Sequence, residues 1–197
     1  MSQSLTYGTV PTRKRLKMAG YLAMASALMT LPWFMFTFKL ANRNDPAIRA
    51  IEASMLVGGV ALLVYLLLTF QQLLHRRYAF HHADKTISLL IQAAVTQTAA
   101  SLLGLAIPEL AAAVRMFGFV MVVIVGILHM MFGIWLLQLP AGLGGMHRPY
   151  CYLTIVTGFS FATIMLLPVG MLTGSIADVM LGTIFLQAVG PVPRSAD

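Results

Sequence analysis

Between Ala47 and Val189 the chain is apolar almost without interruption, its main breaks falling at Arg76 to Lys85, at Ile107-Pro108-Glu109, from Gly142 to Arg148 and at Thr173-Gly174-Ser175. Another apolar stretch runs from Met18 to Phe38. With 59% hydrophobic residues and a mean hydropathy of +0.84, a chain of 197 residues has too little interior to hide this surface from water, whereas a bilayer accepts it. The expectation is an all-α integral membrane protein.

A spanning helix takes about 20 apolar residues, because the hydrocarbon layer is about 30 Å thick and each residue rises about 1.5 Å. Length therefore dictates where the long runs fold back. Met18 to Phe38 is one span, and Asp45-Pro46 reads as an N-cap followed by proline at the first helical position, opening a helix to about Leu74. Asp84 reads as the next N-cap. One helix from there to Leu137 would measure roughly 80 Å, so a turn is expected at Ile107-Pro108-Glu109. Tyr150 to Val189 would measure roughly 60 Å, which calls for a reversal near Pro168 to Ser175. The result is six transmembrane helices at approximately 18–38, 46–74, 85–107, 109–138, 150–168 and 173–189, between a basic segment 1–17 and a tail 190–197. Pro32 and Pro168 either end these spans or kink them.

Lysine and arginine accumulate on the cytoplasmic side of short loops. With the amino terminus inside, that side holds nine of the 13 basic residues: Arg13, Lys14, Arg15, Lys17, Arg76, Arg77, Lys85, Arg148 and Arg194. The other side holds Lys39, Arg43, Arg49 and Arg115. Both termini are thus expected in the cytoplasm and the protein in the cytoplasmic (inner) membrane. There the formal charge of +7 meets anionic lipid, and no nucleic-acid partner is needed to explain it. The first apolar segment has full span length and no small-residue cleavage site, so it is expected to remain in the mature protein. Trp33 and Trp135 fall near span ends, as interfacial anchors do. Asp45, Glu52, Glu109 and Asp178 fall on the outer side near the starts of the second, fourth and sixth helices. Capping explains them there, and Glu52, Glu109 and Asp178 are also candidates for the outer mouth of a solute path.

Three segments share a pattern: Ala25 to Pro32 (ASALMTLP), Ala100 to Pro108 (ASLLGLAIP) and Phe161 to Pro168 (FATIMLLP). Each is small, partly hydroxylated text running into aliphatic-proline, which suggests three proline-marked helical hairpins as repeats. The fourth span, Val122 to Trp135 (VVIVGILHMMFGIW), together with these hairpins, resembles the HdeD-like family of six-span membrane proteins associated with acid resistance. The resemblance implies a role in envelope or acid stress and carries over no catalytic residue.

Intramembrane polar groups are the functional candidates, because each costs free energy in lipid. His129 lies mid-span, close in helical angle to Gly126 and Gly133, and is expected to face a helix contact. Ser88, Gln92 and Thr96 recur at spacings of four, with Gln97 and Ser101 on another face. Such stripes serve either as interhelical glue or as the lining of a narrow path. A haem held by two histidines would need a second histidine at the depth of His129, yet His75, His81, His82 and His147 all fall at the cytoplasmic edge. Those four with Asp84 fit no strong metal motif, so neither metal nor cofactor is expected. The 14 methionines, Met130 and Met131 among them, read as packing rather than copper ligands. Cys151, the single cysteine, permits no intrachain disulfide and sits where acylation is feasible. GxxxxGK[ST], HExxH and CxxC motifs are missing from the sequence, which points away from an enzyme. The leading expectation is a non-enzymatic multi-pass protein acting through its bundle or its partners, the lipid bilayer and a homo-oligomer or other membrane protein. The alternatives are a small transporter or channel subunit using Gln92, Thr96 and His129, or the membrane anchor of a redox complex.

Overall fold

A computed structural model describes residues 12–40, 46–139 and 145–189, apart from the side chains of residues 31, 33, 34 and 36–40. The described residues are all-helical: α1 (Arg13–Leu40), α2 (Pro46–Tyr78), α3 (Asp84–Ala106), a 3-10 turn (Pro108–Leu110), α4 (Ala111–Leu137), α5 (His147–Ala162) and α6 (Leu167–Gln187). Four segments are long and apolar enough to cross a membrane: α2, α3, Pro108–Leu137 and α6. Asp45, Arg43 and Arg194, and the side chains of Trp33 and Lys39, lie outside the described residues.

Several boundaries differ from the sequence reading, each for a local reason. Pro32 lies inside α1 and does not end it. Asp84 is the first residue of α3 rather than its cap; Ala83 takes the cap position, and the Asp84 carboxyl turns towards α2. The largest shift concerns the last forty residues. The reversal expected near Pro168 to Ser175 occurs at 163–166, so the fifth helix is 147–162 and the sixth begins at Leu167. Proline lacks an amide hydrogen and therefore suits a first helical turn, which is where Pro168 sits. Thr173 and Ser175 need no loop, because their hydroxyls donate back to Val169 O at 2.9 Å and Met171 O at 2.9 Å within α6. The chain turns at Ile164 instead, whose φ of 54° is a left-handed conformation rare for a β-branched residue.

Each helix packs against its neighbours in sequence, and α1 closes the ring against α6. Glycines permit the closest approaches. A Cβ on Gly126 would lie 2.5 Å from Ala162 N and 2.6 Å from Gly158 O, so α4 and α5 touch backbone to backbone. Gly182 is as tight against α1, where a Cβ would stand 2.8 Å from Gly20 O. One end of the ring carries Arg76, Arg77, Lys85 and Arg148 and is called the basic end below. There Phe70 fills the centre, its ring meeting Phe132, Tyr150 and Phe185 edge-on with centroids 6.0 Å apart in each case. Phe70 is 1% exposed and Phe185 0%, so this aromatic group plugs the ring at that end. The Arg77 guanidinium donates to Ala188 O at 3.1 Å, tying the end of α2 to the end of α6.

Candidate functional site

Two adjoining cavities lie within the ring. The larger, about 450 Å³, is walled by α2, α3, α4 and α6 with Phe161 of α5, and among the described residues its polar side chains are Gln97 and Thr98. The smaller, about 100 Å³, sits nearer the aromatic plug and is lined by residues of five helices, among them His129, Tyr150, Thr154, Thr157 and Asp178. Leu63, Ala94 and Val125 border both, so the two are continuous along the bundle.

Asp178 is the side chain that the sequence reading misplaced. With α6 beginning at Leu167, it falls just past the middle of that 21-residue helix, about 17 Å from its start. It thus lies well inside α6 rather than near its start; its carboxyl faces the smaller cavity and makes no hydrogen bond or ion pair among the described residues. Of the hydroxyls that line this cavity, those of Thr154 and Thr157 are committed elsewhere, while the Tyr150 hydroxyl shares the cavity with Asp178. Thr154 donates to Tyr150 O at 2.8 Å, and Thr157 donates to Thr173 Oγ1 at 2.9 Å. An unpaired carboxyl at this depth is expensive unless a cation or a proton accompanies it.

His129 reaches the same cavity from α4. Its Nδ1 donates to Val125 O at 2.9 Å, leaving Nε2 for another partner, and its ring meets Phe161 edge-on with centroids 6.3 Å apart. Gln97 lines the larger cavity, with its amide nitrogen packed towards Gly118. Its Oε1 is buried without a hydrogen-bond partner, an orphan acceptor that a ligand donor would satisfy.

Gln92 and Thr96 are placed differently from the expectation. Both are exposed on the outer surface of α3, as is Ser88 one turn earlier, so the internal polar line runs through Gln97 and Thr98. A helix turns about 100° per residue, which puts Gln97 on a different face from Gln92 and Thr96. Glu109 is exposed in the 3-10 turn and Glu52 is half-buried near the start of α2, both at the end opposite the basic one.

The edge histidines separate. His147 is buried, and its ring Nε2 meets Leu136 O at 2.9 Å. His82 stacks on Trp135, ring centroids 6.1 Å apart. His75 and His81 converge on Asp84, which spacing could not show because the αL turn at Ala79, φ 48°, folds the chain back on itself. Cys151 is buried against α4, with its backbone carbonyl 2.9 Å from where a Gly133 Cβ would stand.

No protein-family model, curated protein or solved structure matches the chain.

Proposed function

We propose that the chain is a small non-enzymatic membrane transporter that loads amphipathic ammonium-type cations into the interior of its helical ring. Asp178 carries the reading, as a carboxyl without a partner facing a cavity midway along a membrane helix. Such a group favours a positive ligand. The orphan Gln97 Oε1 adds a second acceptor, and the remaining lining of the larger cavity is apolar, suiting a hydrocarbon body. A volume of about 450 Å³ falls within the roughly 300 to 1,000 Å³ usual for small-molecule sites. The aromatic group around Phe70 would then be the closed gate at the basic end.

In this reading all six helices are spans, arranged as three hairpins, α1–α2, α3–α4 and α5–α6, the last two turning at 107–110 and 163–166, with both termini in the cytoplasm of a cell bounded by its inner membrane. The α5 helix has 16 residues, about 24 Å of rise, which is short for hydrocarbon about 30 Å thick. Its tight packing on α4 and the turn directly into α6 hold it in place. A contribution to envelope or acid stress, as the HdeD-like resemblance implies, would follow if export of such cations were coupled to proton entry through Asp178.

The experiment is uptake of phenethylammonium into proteoliposomes under an imposed pH gradient. Wild-type protein is expected to accumulate it, Asp178→Asn to lose at least about tenfold of the rate, and Gln92→Leu on the outer surface to retain it. Equal uptake by wild type and Asp178→Asn, with both variants eluting as folded protein, would contradict the reading.

A further inference from the structure

We propose that His75, His81 and Asp84 form a binding site for a divalent transition-metal ion of the zinc class at the basic end of the bundle. The site is separate from the cation cavity and does not depend on its function. One potential ligand atom from each residue lies within 4.8 Å of the others. His75 Nε2 stands 2.5 Å from Asp84 Oδ1, and His81 Nδ1 stands 3.4 Å from Asp84 Oδ2. Zinc bonds of about 2.0 to 2.1 Å in tetrahedral geometry place ligand atoms about 3.3 to 3.4 Å apart, so the His81–Asp84 edge already has that length. Small side-chain rotations of His75 would open the second edge.

Two imidazoles and one carboxylate are a donor set that suits zinc and its neighbours, with a fourth position left for water. His81 is 56% exposed at its side chain, which gives an ion and its water access. The carboxylate is also held from behind. Gln71 Nε2 donates to Asp84 Oδ1 at 3.0 Å, the kind of supporting hydrogen bond that orients a ligating group. The three residues reach each other across a helix break: His75 belongs to α2, Asp84 opens α3, and the turn at Ala79 carries His81 back over His75, their rings 4.3 Å apart. A bound ion would therefore clamp the end of α2 to the start of α3. His82, adjacent in sequence, stacks on Trp135 and stays outside the site.

The test is zinc titration calorimetry on the full chain, without an affinity tag, purified in detergent and stripped with a chelator. Thermal unfolding with and without zinc is measured on the same samples. One ion per chain at micromolar dissociation constant or tighter is expected, together with a rise in Tm on zinc addition. His81→Ala, an exposed change that leaves packing intact, and Asp84→Asn should each weaken binding at least tenfold, whereas His82→Ala should leave it unchanged. Lack of saturable binding at micromolar zinc, or equal weakening by His81→Ala and His82→Ala, would overturn the proposal.

Discussion

Asp178 and Gln97 illustrate how a membrane interior turns unpaired polar atoms into constraints. Gln97 Oε1 loses water without gaining a partner, a cost of about 1 to 3 kcal/mol for a buried acceptor. Gln97→Leu is therefore expected to leave thermal stability in detergent unchanged or raised, by up to about 1 kcal/mol, while weakening cation binding. A fall in stability with binding intact would assign Gln97 to packing. Depth in the bundle was not legible from residue type alone. His147 and Asp178 both read as edge groups in the sequence, and only the true helix starts showed one buried and the other deep in the ring.

Among the helices, α3 and α4 were readable because Ile107-Pro108-Glu109 interrupts an apolar run too long to be one helix. The α5–α6 boundary was not. Pro168 and the cluster Thr173-Gly174-Ser175 look alike as breakers, yet proline begins α6 and the hydroxyls bond back along it. The actual turn carries no glycine at its left-handed position, Ile164 occupying it at φ 54°. Because a left-handed conformation costs a non-glycine residue about 1 to 2 kcal/mol and Ile164 is 38% exposed, Ile164→Gly should stabilise the protein by up to about 1 kcal/mol in a detergent melt. A loss would mean that its apolar contacts outweigh the backbone strain. The small-residue seam makes the opposite prediction for glycine. Gly158→Ala would set a methyl 2.5 Å from Gly126 O, backbone that cannot swing aside, and should lower stability by about 1 to 3 kcal/mol. Gly58→Ala meets nothing within 4 Å and should be neutral or mildly stabilising, since alanine is the better helix former.

At the scale of the molecule, composition announced helices in a membrane, and four segments have the length and apolarity to cross one. The path through the molecule could not be read from stripes on single helices. Gln92 and Thr96 form the clearest polar stripe in the sequence and point outward, because a helix in a ring has two sides and periodicity does not say which faces inward. The closure of α1 onto α6, and the aromatic plug beneath the cavities, arise from contacts distant in sequence. The proposed six-span topology is open to reporter fusions: alkaline phosphatase should be active when fused after Glu109 and inactive when fused at either terminus, and the reverse pattern would invert the orientation. The most direct test is equilibrium binding of phenethylammonium to the purified chain, compared with Asp178→Asn. The cation-cavity reading expects saturable binding to one site per chain, weakened at least about tenfold by the substitution, equivalent to 1.4 kcal/mol or more. Binding that is undetectable, or indifferent to the loss of the Asp178 carboxylate, would contradict it.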